Sequence, residues 1–191
     1  MNIQLFKSEN RKTINWASGT STEIFIYPPG SNFAERNFFF RISTATVEAE
    51  ESNFTFFEDI TRHLMILKGE LELIHEDRYT KHLKVFDQDT FSGEWKTRSK
   101  GKVTDFNLML KGGAKGSLTH HKIEAGNAAA VEAKSSFCFI YLVAGTMQLE
   151  NGIVVNAGDL ISTDKEKIVI TASEPCDLIE INVEGVQIST G

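Results

Sequence analysis

A chain of 191 residues can bury about 70% of the surface its unfolded form exposes, so neither disulfides nor a structural metal is required for stability. Twenty Lys and Arg against 26 Asp and Glu leave a net charge of −6, without the basic footprint that nucleic acid binding needs. Only three prolines occur, which argues against long disordered linkers.

Residues 1–12 carry Lys7, Glu9, Arg11 and Lys12 and no apolar run of the signal-peptide kind. Period-two patterning of β-branched and aromatic residues then predicts strands at 22–27, 38–47, 63–73, 103–110, 137–149 and 168–170. Turn chemistry separates them: Pro28-Pro29-Gly30-Ser31, His75-Glu76-Asp77, Gly112-Gly113, Gly126-Asn127 and Asn151-Gly152. Asn151-Gly152 is the strongest hairpin signal, since both residues tolerate the positive φ of a type I′ turn. No window sustains helical amphipathicity over three turns, so the fold class is all-β. The longest apolar run, 137–145, is too short to span a bilayer. Cys138 and Cys176 lack the C-x-x-C spacing of a redox pair. Two isolated cysteines and no export signal predict reduced thiols in a cytoplasmic protein, away from membranes.

The two halves echo each other. Leu67-Lys68-Gly69-Glu70-Leu71-Glu72-Leu73 aligns with Val143-Ala144-Gly145-Thr146-Met147-Gln148-Leu149, and each Gly allows a sharp bend between strands. Residues 111–117 read as a flexible linker rather than a phosphate loop, because the P-loop spacing is missing. The boundary therefore falls between a first domain at 1–112 and a second at 113–191, with the N-terminal strands free to join either.

This strand–Gly–strand–Ala-Gly-Asp repeat resembles the cupin fold: a bicupin with two small β-barrels of the double-stranded β-helix, or jelly-roll, type. Many cupins hold a metal through His-x-His, a Glu and a third His. Laid on the first half, those positions fall at Thr55, Phe57, Arg62 and Lys96. In the second half they fall at Ala133, Lys134, Cys138 and Ile161. No ligand set survives, so no metal and no other cofactor is expected. The histidines offer no substitute. His120 and His121 point to opposite strand faces, His63 lies opposite Arg62, and His75 and His82 read as solvated residues of a charged hairpin tip.

A tighter resemblance covers the first 110 residues. Trp16-x-x-Gly19-Thr20-x-Thr22-Glu23, Phe40-Arg41-Ile42-Ser43, Phe54-x-x-Phe57-x-x-x-x-Arg62, Leu67-x-Gly69-Glu70, Phe91-x-Gly93 and Asp105-Phe106-Asn107-Leu108-Met109 occur in the order of the HutD/Ves bacterial bicupins. The chain departs from that pattern at Phe40, where a Trp is common, and at 57–62, where the Pro-Gly before the arginine is missing. The resemblance implies a role in controlling histidine utilisation or a stress response. It also implies a metal-free pocket for a small anionic metabolite lined by the arginine.

Arg62 shares parity with Leu64 and Ile66, so an inward guanidinium needs a carboxylate from Glu23, from Asp105 or from a ligand. Asp105, Asn107 and Met109 form a polar stripe that faces either solvent or the interior. Ser43 can donate to a ligand, while Phe57, Phe91 and Trp16 can wall a cavity. Three functions follow: a metabolite-binding regulatory module; a metal-independent, isomerase-like enzyme using Glu23 or Asp105 with Arg62 as substrate anchor; or a structural protein with filled barrels. A homodimer is left open.

Overall fold

The structure is a computed structural model, which describes residues 3–132, 135–163 and 167–186. Among these, nineteen strands and one 3-10 turn at Ser8–Asn10 make up the regular structure, so the chain is all-β. In chain order the strands are β1 (Ile3–Phe6), β2 (Thr13–Trp16), β3 (Gly19–Tyr27), β4 (Phe40–Val47), β5 (Glu51–Asn53), β6 (Ile60–Gly69), β7 (Leu71–His75), β8 (Tyr79–Leu83), β9 (Gln88–Ser92), β10 (Thr97–Lys100) and β11 (Val103–Lys111). There follow β12 (Lys115–Ile123), β13 (Ala128–Glu132), β14 (Phe137–Ala144), β15 (Thr146–Leu149), β16 (Val154–Asn156), β17 (Leu160–Thr163), β18 (Lys167–Ala172) and β19 (Cys176–Glu184).

Two compact units divide the chain: Arg11–Ala114, here the first unit, and Met1–Asn10 with Lys115–Gly191, the second. Each is a cupin-like sandwich of two antiparallel sheets. The first unit stacks β2-β3-β4-β11-β6-β9 on β5-β10-β7-β8, with Leu64, Ile66 and Phe91 of one sheet against Leu71, Leu73 and Leu83 of the other. In the second unit β1-β17-β14-β19-β12 packs on β13-β18-β15-β16 around Ile140, Leu142, Leu149, Ile170 and Leu178. The bicupin expectation thus takes an open form. The sheets do not close into barrels, because edge strands such as β2, β9 and β12 have no further strand partner among the described residues.

The long apolar runs break where the repeat places its glycines. The run at 63–73 turns at Gly69 (φ 85°) from β6 in one sheet to β7 in the other, and Gly145 (φ 91°) does the same between β14 and β15. Three local expectations need correction. Residues 111–117 are not a flexible linker: β11 runs to Lys111 and β12 starts at Lys115, so only a tight Gly112-Gly113-Ala114 turn remains. The hairpin after β15 is not a two-residue type I′ turn, since only Gly152 of the Asn151-Gly152 pair has positive φ. His75 is not solvated. It is 2% exposed, with Nδ1 on the Thr97 hydroxyl at 2.8 Å and Nε2 on Asp89 Oδ2 at 3.0 Å. Aromatic packing from Phe91 and Trp95, both distant in sequence, excludes water from it.

The N-terminal strand joins the second unit, β1 pairing with β17. Asp159, 1% exposed, accepts from Lys7 Nζ at 2.9 Å and from the Ser8 and Asn156 amides at 3.0 Å each. That makes the Asp of the Ala-Gly-Asp motif a staple for the N-terminal segment. Ala133 and Lys134 lie outside the described residues. No described helix is long and apolar enough to cross a membrane.

Candidate functional site

Three neighbouring strands of the first unit build the site. In the order β4-β11-β6, register places Arg41, Met109 and Arg62 in one row, then Ser43, Asn107 and Leu64, then Ala45, Asp105 and Ile66. Alternation puts all nine on one face, because residues in register point the same way. The opposite face carries Phe40, Ile42, Phe106 and Leu108, all wholly buried. The stripe of Asp105, Asn107 and Met109 is therefore enclosed on both sides, each residue 3–4% exposed, rather than solvated.

This polar face meets a cavity of about 200 Å³. Arg62, 7% exposed, donates from Nη2 to Asn107 Oδ1 at 3.0 Å. Asn107 in turn donates from Nδ2 to Asp105 Oδ1 through a very short hydrogen bond. The Arg62 Nε has no hydrogen-bond partner among the described residues. Its guanidinium carbon lies 4.6 Å from the centroid of Phe54, 5.4 Å from Phe91 and 5.9 Å from Phe57, so ring faces take the place of water around the cation. Arg41, in the same row, donates from Nε to Glu23 Oε2 at 2.9 Å and from Nη1 to Ser43 Oγ at 2.8 Å, and stacks 4.1 Å over Phe33. Ser43 accepts there and keeps its own O–H to donate.

The electrostatics follow from burial. Desolvation lowers the Arg62 pKa to about 10, Asp105 raising it and Arg41 lowering it further. Desolvation raises the Asp105 carboxyl to about 7, against the opposing pull of Arg62 and the Asn107 hydrogen bond. Burial also lowers Arg41, and Glu23 restores part of that.

Asp105 therefore works against stability. Its unfolded carboxyl ionises near 3.9 and its folded one near 7, so the native state holds the extra proton between those values. Stability tied to this group is present below about pH 4, falls as pH rises and levels off above about 7. Asp105→Asn is expected to raise the unfolding free energy by about 2–4 kcal/mol at pH 8, a gain that fades towards pH 4. Urea titrations at the two pH values measure it, and a gain that is equal at both contradicts the assignment.

Six of the eight residues singled out in the sequence line this cavity: Arg62, Ser43, Phe57, Trp16, Asp105 and Asn107. Glu23 does not. It borders an adjoining cavity of about 360 Å³ and reaches the site only through Arg41. Phe91 lies behind Arg62, 3% exposed in the sheet-to-sheet core. Sequence reasoning passed over Arg41, although it shares the parity of Ser43 and Ala45 and sits between the apolar Phe40 and Ile42, the same signal that marks Arg62. Phe33 and Phe54 were missed as well, since they come from irregular or strand-end segments without periodicity.

A cupin-type metal does not fit this donor set. Thr55, Phe57 and Arg62 occupy the ligand positions, and Asp105 is the one carboxylate on a lining that has no His or Cys. Lys96, at the remaining position, pairs with Glu76. The histidines have carboxylate or hydroxyl partners: His75 with Asp89 and Thr97, His82 with Glu72, His120 with Asp177, His121 with Glu180, and His63 with Thr90.

Solved structures with this fold include a conserved protein of unknown function from Pseudomonas aeruginosa PAO1, at TM-score 0.81 and 18% identity over 97% of this chain and 100% of its own. HutD from Pseudomonas fluorescens SBW25 superposes with TM-score 0.72 and 19% identity, over 96% of this chain and 100% of its own. The bacterial pirin YhhW from Escherichia coli, solved with nickel(II), gives TM-score 0.72 and 14% identity over 94% and 98%. No curated protein sequence matches the chain. A profile of the HutD family matches residues 8–180, nearly the whole length, and so this chain belongs to the HutD family.

Proposed function

We propose that the first unit binds a small carboxylate metabolite on Arg62, and that the protein works as a metal-free binding or regulatory module. The observation that carries this reading is the Arg62 side chain, enclosed on the cavity with its Nε unsatisfied. A buried donor without a partner costs about 1–3 kcal/mol, and a ligand carboxylate docking side-on takes up Nε and one Nη together. A cavity of about 200 Å³ has room for a small carboxylate. Trp16, Phe54, Phe57 and Met109 supply apolar wall, and Ser43 a hydroxyl for the ligand.

The resemblance to the HutD/Ves bicupins supports control of histidine utilisation, or of a stress response, as the setting in which such binding acts. The enzyme reading has one observation of its own. Asp105, raised to about 7, suits acid–base work near neutral pH. Its lone carboxylate would have to both take and return the proton, since Glu23 is bound to Arg41 outside the cavity lining.

The direct test is calorimetric titration with a panel of monocarboxylates. One or more is expected to bind, and Arg62→Lys is expected to weaken binding about tenfold, since an ammonium keeps the charge but loses the two-point fork. Equal affinity for Arg62→Lys would remove the fork from the account, and turnover of a bound carboxylate would favour the enzyme.

A further inference from the structure

Arg62 and Asp105 share one cavity, yet Asp105 forms no ion pair with a described residue. The Asn107 amide stands between them and fixes the polarity of both contacts. Its oxygen takes the guanidinium proton, and its nitrogen donates to Asp105 Oδ1. One carboxyl oxygen is thus held as an acceptor. Oδ2 makes no hydrogen bond to a described residue and is the place where a proton can sit without breaking the network.

Every charged group around Asp105 can be assigned. From β6 comes Arg62. From β4 comes Arg41, already offset by Glu23 of β3 at 2.9 Å. β11 itself presents only Asn107 and Met109 on this face, and the lining from β2 and from 52–57 is uncharged. Lys12 opens on the adjoining cavity. With Arg41 paired to Glu23, the unpaired charges are one guanidinium and one carboxyl. If Asp105 is ionised the site is neutral when empty, and a bound carboxylate would leave it with an uncompensated negative charge in a desolvated space. If Asp105 carries a proton, the ligand alone balances Arg62.

On the carboxylate-binding reading above, we infer that the site binds a monocarboxylate with Asp105 protonated on Oδ2, taking up that proton where the carboxyl is ionised in the empty site, and thereby selects monoanions over dianions. Burial of this carboxyl, which brings it to about 7, places the coupling in the neutral range. Ligand binding next to it raises that value further, so affinity is flat where Asp105 is already protonated and falls where it is not.

The test is titration with benzoate, in two buffers of different ionisation enthalpy, from pH 6 to 9. Expected are close to one proton taken up per benzoate at pH 8, and affinity falling about tenfold per pH unit above about 8, the limit for a single coupled proton. Succinate, as a dianion of similar reach, is expected to bind at least tenfold more weakly at pH 8. Asp105→Asn is expected to show no buffer-dependent heat and no pH slope. At pH 8, binding without proton uptake, proton release, or a slope that survives in Asp105→Asn overturns the inference while leaving carboxylate binding intact. No binding by any carboxylate overturns that reading and this one together. Carbon-13 titration of the Asp105 carboxyl in the wild-type complex serves if the variant fails to fold. A carboxyl still protonated at pH 8 supports the inference, and one ionised there refutes it.

Discussion

Gly69→Ala is expected to lower the unfolding free energy by about 3–5 kcal/mol, read as a shift of the urea midpoint at unchanged slope. Gly69 has φ 85°, where an L side chain costs about 1–2 kcal/mol by itself. The larger part is steric. A Cβ built there stands 2.4 Å from the Lys102 carbonyl oxygen and 3.3 Å from Val103 Cγ1. The oxygen belongs to backbone leading into β11, which pairs with both β4 and β6, so it cannot move without disturbing the central strand of the sheet. Gly145 repeats the arrangement in the second unit, with φ 91° and a Cβ 2.5 Å from the Pro175 oxygen. Gly126 is the comparison: φ is 78° but nothing lies within 4 Å, so Gly126→Ala is expected to cost only about 1–2 kcal/mol. Equal losses at Gly69 and Gly126 would show that backbone conformation, not the close approach, sets the requirement.

These two glycines were legible because a repeat displays the same constraint twice. Alternation was equally legible. Parity alone groups Arg62 with Leu64 and Asp105 with Asn107, and strand register then sets them side by side. Parity does not say which face is enclosed, however. Both faces of β11 are buried, so the choice between a solvated and an enclosed polar stripe depended on the sheet packed opposite. Long-range packing also reversed the reading of His75. Its neighbours Glu76 and Asp77 make the segment look solvated, while the groups that enclose it, Asp89, Phe91, Trp95 and Thr97, lie 14 to 22 residues away. Whether sheets close into a barrel depends on edge pairing between distant strands, and no local pattern encodes that. Arg41 was within reach of parity, but its partner Glu23 sits across a register shift in β3 that alternation does not reveal.

Arg62→Ala is expected to cost about 2–5 kcal/mol of carboxylate binding, which for a weak metabolite site removes measurable affinity. The loss has two parts. The two-point hydrogen bond to the ligand disappears, and the carboxylate then has no compensating cation, since Arg41 is held by Glu23 and Ser43. Stability should move the other way. In the empty site Arg62 is a cation enclosed by Phe54, Phe57 and Phe91, with one hydrogen bond, an unsatisfied Nε and a pKa pulled down to about 10 by desolvation. Arg62→Met keeps an apolar side chain against the same rings and removes the costly buried charge, which offsets the loss of the donor to Asn107 Oδ1. Below about pH 7 Asp105 holds its proton, so no orphan carboxylate is left behind. The ligand-free Arg62→Met protein is therefore expected to melt no lower than the wild type at pH 6, and to show no thermal shift with benzoate. A structural arginine would give the reverse: Arg62→Met would melt several degrees lower and any carboxylate response would persist. The two measurements separate a residue kept for its ligand from one kept for the fold, because only the former carries a stability cost in the empty protein.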